Sequence, residues 1–240
     1  MEFDSPLIRG TLLKRYKRFL ADITLENGEQ ITAHTPNTGS MKGCSEPGST
    51  VWLRDTKNPD RKYPLSWEMV EATPNMLVGI NTHLSNTLVA EAIENGIVSE
   101  LQGYDLIRRE VKYGEENSRI DLLLFDEKQK GENKPNCYVE VKNVTLVEGE
   151  TALFPDAVTK RGSKHLRELQ GMVKQGKRAV IFYCIQRNDV REFQPADDID
   201  PEYGQLLREA INNGVEALAY TAKISPQGID LVKHVPVTCP

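Results

Sequence analysis

The sequence predicts an α/β (α+β) protein in two parts: a small OB-like β-barrel over residues 1–80 and a mixed-sheet α/β domain over residues 81–240. Two observations carry this. Up to about residue 80, short apolar runs alternate with turns rich in Gly, Pro and Asn, the texture of a small closed sheet. Beyond it, segments of helical and of strand periodicity follow one another, as they do where helices cover a sheet.

The apolar runs of the first part lie near 11–25, 30–35, 49–54, 64–72 and 76–80, separated by "ENGE", "PNTGSMKG", "EPGS" and "TKNPDRKYP". Five strands in this length suit an OB-like barrel, a shape often used to hold oligonucleotides. The texture changes near 75–83. "SNTLVAEAIENG" then predicts a helix with Ser85 or Asn86 as its N-cap and Asn95-Gly96 as its stop. "YDLIRREVKYG", "SRIDLLLF" and "CYVEVKNVTL" read as strands, the last two joined by a polar connection at 126–136. A basic helix at about 160–175, which Ser163 could cap, precedes "RAVIFYCI" at 178–185, and that apolar run predicts a fully buried strand. A helix near 201–213 and the strand "VEALAYTAKIS" complete the order, which contains no internal repeat.

With 240 residues, 39% of them hydrophobic, the chain can bury a proper core. The net charge of −5 argues against a general nucleic-acid coat protein, but its distribution is uneven. Residues 5–21 carry Arg9, Lys14, Arg15, Lys17 and Arg18 and no acid; residues 158–178 carry seven Lys and Arg against Glu168 alone. No run approaches the roughly 18 apolar residues of a membrane span, so no membrane partner is expected. "MEFDSPLIRG" lacks the basic and apolar regions of a signal peptide. Cys44, Cys137, Cys184 and Cys239 are scattered without C-x-x-C spacing, which argues against a structural zinc or disulfides and for a cytoplasmic location. The oligomeric state, a homo-oligomer included, stays open.

The chemistry centres on "CYVEVKNVTL". Side chains alternate along a strand, so Tyr138, Glu140 and Lys142 share one face. In "RIDLLLF", Ile120, Leu122 and Leu124 form one face and leave Asp121 on the other. If the two strands pair, Asp121 lies near Glu140 and Lys142. Two carboxylates and a lysine make a cage for a divalent cation such as Mg²⁺, which needs few protein ligands and keeps several waters. The lysine could orient a water or stabilise charge on a phosphoryl group. A strand-surface ion pair is the competing reading, because acid-x-Lys recurs along the chain, for instance at Asp55–Lys57, Asp60–Lys62, Glu110–Lys112 and Glu132–Lys134. Glu140–Lys142 differs in combining an apolar strand with an Asp about twenty residues upstream.

That layout resembles the PD-(D/E)xK nuclease superfamily. More closely, "RYKRFLADI", "HTPNTGSM", "SRIDLLL", "YVEVKNVTL" and "FPDAVTKRGSKHLREL" resemble the SfsA family, the sugar fermentation stimulation proteins. The resemblance runs through nearly the whole chain. It implies an N-terminal OB-like domain, a nuclease-like C-terminal domain and DNA as the partner. Asp121, Glu140 and Lys142 then take the superfamily's core positions, with Asp121 and Glu140 holding Mg²⁺ or Mn²⁺ and Glu91, or else Glu94, as the acid on the preceding helix. Ile120 stands where the strict motif has Pro. The function expected is metal-dependent phosphodiester hydrolysis; the alternative is a DNA-binding regulator of sugar-metabolism genes that keeps the fold without cutting.

Other segments fit a polyanion. "KRYKRF" (14–19) interleaves cations with Tyr16 and Phe19, as surfaces that contact phosphates and stack bases do, though a bend or bulge is needed to align them; a charged strand edge is the plain alternative. Lys160, Arg161, Lys164 and Arg167 could meet phosphates at the start of the basic helix, or form a solvated face. "PNTGSMKG" reads as a tight turn or a backbone anion site, Asp156 as a cap or loop residue or else a residue that supports the site from behind, and His165 as part of the basic helix surface.

Overall fold

The first sheet is built from β1 (Ile8–Tyr16), β2 (Leu20–Leu25), β3 (Gln30–His34), β4 (Thr50–Asp55), β5 (Leu65–Thr73) and β6 (Met76–Gly79), in the order β3-β2-β1-β4-β5-β6. A pairing of β3 with β5 at His34 and Ser66 closes it into a barrel, around Leu12, Ile23, Val51, Leu53 and Trp67. The computed structural model describes residues 1–114, 118–127 and 134–240; residues 128–133 of the predicted 126–136 connection, Glu132 among them, lie outside the described residues.

The expected apolar run at 11–25 is two strands. The chain reverses at Lys17 and Arg18, whose φ angles of 49° and 65° are left-handed. No Gly or Asn marks this turn, so nothing in the local sequence separates it from a continuous strand. A register shift falls between Leu12 and Lys14, but it does not align the cations of "KRYKRF" on one face.

After a short 3₁₀ turn at Thr82–Leu84 comes α1 (Ser85–Glu94). Neither predicted residue caps α1: Asn81 caps the 3₁₀ turn instead, and Leu84 precedes the helix without a side-chain cap. The second sheet contains β7 (Leu106–Tyr113), β8 (Ser118–Phe125) and β9 (Cys137–Val144). Then follow β10 (Leu146–Glu148), β11 (Thr151–Phe154), α2 (Lys160–Lys174), β12 (Arg178–Ile185), β13 (Glu192–Pro195), α3 (Pro201–Asn212), β14 (Glu216–Ser225) and β15 (Gly228–Val235). The main sheet has the order β15-β14-β12-β9-β8-β7, with β9, β12 and β14 parallel and the outer pairings antiparallel, so it is mixed as expected. β10, β11 and β13 form a separate small sheet.

The apolar run of β12 is buried as its sequence requires, since both faces of the central parallel strands are covered. α1 packs on one side, with Leu122, Leu124, Val139, Val141 and Phe182. α2 and α3 cover the other, with Ile120, Leu123, Ile181 and Tyr183. β15 has an alternating pattern weakened by three polar residues, Asp230, Lys233 and His234, and it pairs with β14 as an edge strand. Among the described residues no helix is long and apolar enough to cross a membrane.

Barrel and α/β domain meet along a polar seam. Gly79 N–H donates to the Gln186 carbonyl at 2.9 Å, and the Gln186 amide donates to Asn143 Oδ1 at 2.6 Å. Asn81 donates to the fully buried Glu68 at 2.6 Å, and Arg54 pairs with the same carboxylate. Asp156 reaches across to the loop at 36–43, accepting from Ser40 Oγ at 3.0 Å and from Met41 N–H at 3.2 Å.

Candidate functional site

The site forms where β8 and β9 part. Their ladder runs through Leu124–Cys137, Leu123–Tyr138 and Leu122–Val139 and goes no further. At the next position the Asp121 side chain takes over: Oδ2 accepts the Val141 N–H at 2.7 Å, and Oδ1 accepts from Asn86 of α1 at 2.8 Å. On the neighbouring β7, Glu110 adopts a φ of 54°, a local kink opposite the fork. The inward–outward alternation therefore breaks at Asp121. Leu122 and Leu124 join the α1 layer as expected, whereas Ile120 sits with Leu123 in the opposite layer.

Glu140, 2% exposed, lies at the centre. Its Oε1 accepts from Lys142 Nζ at 2.7 Å and is met by His165 Nδ1 from α2. Lys142 Nζ is also 3.0 Å from His165 Nδ1. Arg161 Nε donates to His165 Nε2 at 3.4 Å, so the ring reads as the tautomer with its proton on Nδ1, facing Glu140. Glu140 Oε2 is buried with no hydrogen-bond partner.

Burial, reinforced by the neighbouring Glu140 charge, pushes the Asp121 carboxyl up to about 6. The Val141 N–H, Asn86 and Lys142 oppose that rise. Burial also pushes Glu140 up, but the Lys142 charge and the His165 hydrogen bond outweigh it and hold Glu140 below its ordinary value. Two carboxylates of opposite tuning share one buried spot, a condition typical of functional sites.

Glu91 does not belong to this group. Five residues beyond Asn86 on α1, it points toward β15 and pairs with the Met1 amino group at 3.0 Å. Periodicity places it on the helix, but the azimuth of the helix over the sheet is set by tertiary packing. The α1 side chain that reaches Asp121 is Asn86. Glu94, the second choice, is exposed.

His165 is the residue that sequence reasoning undervalued. It is 5% exposed, and Gly162, His165, Leu166, Leu169 and Met172 mark the inward stripe of α2 at helical spacing. That spacing was there to be read. Thr159, rather than Ser163, caps α2, accepting from Gly162 N–H, and Ser163 is buried in the first turn. Arg161 stands beside His165, while Lys160 and Arg167 are exposed and Lys164 is half-buried.

In the β1–β2 hairpin the expected single basic stripe is split. Lys14 pairs with Asp22 and sits 5.4 Å from the Tyr16 ring centroid, and the Tyr16 hydroxyl donates to the same Asp22. Tyr16 is thus occupied within the hairpin. Arg15 points the other way and donates to the carbonyls of Arg18, Asn37, Gly39 and Ser40 at 2.8–3.3 Å. Arg18 donates to the Thr38 carbonyl, and Arg9 pairs with Glu26. Lys17 and Phe19 are exposed at the tip. Arg15 and Arg18 are therefore fasteners of the 36–43 loop. A Cβ on Gly39 would lie 2.7 Å from Asp156 Oδ2, so the loop's close approach to the α/β domain needs glycine there. Arg15→Met should leave the barrel folded but speed amide hydrogen exchange at Gly39 and Met41 by at least about tenfold, the equivalent of losing one net hydrogen bond; unchanged exchange would mean that the loop holds itself.

Fold and site together define a two-domain protein, an OB barrel set against a mixed-sheet α/β domain whose adjoining strands carry an acidic pair and a lysine. The chain belongs to the SfsA family: the model described as the SfsA N-terminal OB domain matches residues 13–80, and that of the sugar fermentation stimulation protein RE domain matches residues 83–228. It is 60% identical over 238 residues to a sugar fermentation stimulation protein homolog of Geobacter metallireducens, covering 99% of each chain. A homolog from Pelobacter propionicus is 61% identical over 232 residues, 97% of each. Among solved structures, Pyrococcus furiosus SfsA in complex with Ca²⁺ superposes with a TM-score of 0.86 at 30% identity, over 99% of this chain and 98% of that one.

Proposed function

We propose that this protein binds DNA and hydrolyses its phosphodiester bonds with Mg²⁺ or Mn²⁺ held by Asp121 and Glu140. The observation that carries this is the orphaned Glu140 Oε2, buried beside a second carboxylate. An unpartnered buried acceptor costs about 1–3 kcal/mol, more for a charged one, and a cation would offset that cost. Among the described residues no group of three or more His, Cys, Asp and Glu side chains could hold a metal. A two-carboxylate set fits Mg²⁺ or Mn²⁺, which complete their shells with water, better than Zn²⁺, which takes three or four protein ligands. The Ca²⁺ in the Pyrococcus relative, another oxygen-seeking cation, supports the same reading.

When bound, the cation supplies Lewis-acid stabilisation of negative charge on the phosphate oxygens. The protein's own groups do the rest. The Val141 N–H and Asn86 fix Asp121 in the strand fork, and His165 fixes Glu140. Lys142 orients the attacking water and balances charge developing on the phosphoryl group. Arg161, at the start of α2, faces the same place with a positive charge for the backbone. The test is calorimetric titration with Mn²⁺ together with a cleavage panel of duplex, single-stranded and branched DNA. No Mn²⁺-dependent cleavage of any of them would sink the nuclease reading. It would favour a non-cutting DNA-binding regulator, a reading supported by the way Lys142 and His165 already balance Glu140.

For the DNA surface, Lys17→Ala and Lys160→Ala should each lower the slope of log affinity against log salt by about 0.7–0.9 if one phosphate contact is lost. An unchanged slope would remove that residue from the interface.

A further inference from the structure

Between the two domains, next to Lys142, lies a cavity of about 280 Å³ that the site chemistry leaves unused. One wall is the barrel loop at Thr38 and Gly39; the other is apolar, formed by Leu146, Leu153 and Phe154 of the small sheet. Lys142 lines the same cavity. The loop wall is fixed: Arg15 holds its carbonyls from behind, and Asp156 holds Ser40 and Met41 from the opposite domain. The space is that of one small ring system with its sugar, too small for a base pair. Its lining, an apolar face together with threonines, Asn143 and the Asp156 carboxylate that is already engaged by Ser40 and Met41, suits a flat heterocycle with hydrogen-bonding edges.

We propose that this cavity is a base pocket that takes one unpaired nucleobase of single-stranded DNA, flanking the phosphate presented to Lys142. The position of that phosphate rests on the nuclease reading above; the pocket itself does not. A fully paired strand cannot fill it without extruding a base, so single strands, frayed ends and unpaired flaps are the preferred substrates.

The test is fluorescence anisotropy of the full-length protein with a labelled single-stranded oligonucleotide, with Ca²⁺ in place of Mn²⁺. The oligonucleotide is compared with a series carrying one abasic site at each position in turn, and with its duplex. One abasic position should weaken binding roughly five- to hundredfold, the effect of losing one stacked base, and the duplex should bind more weakly than the single strand. Leu153→Trp, which fills the cavity, should impose the same loss on the intact oligonucleotide and abolish sensitivity to that abasic position. Should Leu153→Trp not fold, the abasic series on the wild type decides. A flat abasic series, or a duplex bound as tightly as the single strand, overturns the pocket, as does a well-folded Leu153→Trp with wild-type behaviour. Mn²⁺-dependent cleavage with a flat series removes the pocket and leaves the nuclease; a position-specific abasic loss without cleavage does the reverse.

Discussion

Lys142→Met is expected to lower Mn²⁺-dependent DNA cleavage roughly 10²–10⁴-fold while leaving Mn²⁺ uptake in place. The ammonium is one of two groups on Glu140 Oε1, so its loss removes a charge from the reacting region without removing either carboxylate. Met keeps the length and apolar stem of the side chain. The risk is structural, since breaking a buried ion pair can cost about 3–5 kcal/mol. Here Glu140 retains His165, so the variant should fold, and a thermal melt alongside the assay checks it. Undiminished cleavage by a folded Lys142→Met would strip the lysine of its role.

Asp121→Asn should do two opposite things: abolish Mn²⁺ binding and raise the melting temperature of the metal-free protein. Asn still offers an oxygen to the Val141 N–H, so the fork survives. What disappears is a buried charge. With the folded Asp121 pKa at about 6 against an ordinary 3.8, ionising it in the native state costs on the order of 2–3 kcal/mol. The sign follows from linkage: a carboxyl whose pKa is raised by folding loses stability as pH climbs from 3.8 to about 6, and the loss is complete above that. The gain from Asn should therefore be full at pH 8, roughly 4–10 °C, and vanish below pH 4. A lower melting temperature at pH 8 would mean that the native state welcomes the charge.

The central triad was legible because strand periodicity is a short-range property. Alternation put Glu140 and Lys142 on one face, and the apolar run around Asp121 marked it as a strand residue. The mixed sheet and the buried β12 were legible for the same reason. The turn at Lys17-Arg18 was hidden because left-handed positions there carry ordinary side chains. Glu91 was misplaced because the rotation of α1 over the sheet depends on everything beneath it. Asp156 was hidden most deeply, since its partners Ser40 and Met41 lie more than a hundred residues earlier. His165 is the instructive case, its inward stripe being as regular as any, but a histidine among cations reads first as surface.

The strand fork also bears on how relatives should be compared. Asp121 closes the Val141 amide whether or not chemistry follows, so a family member that had lost all activity would still be under pressure to keep an acceptor there. An Asp or Asn at this position is thus a mark of architecture. Glu140 Oε2 carries no such structural duty. Because Glu140 Oε1 still holds Lys142 and His165, joint loss of Glu140, Lys142 and His165, with an acceptor kept at position 121, is the signature by which a lineage without the proposed chemistry would be recognised.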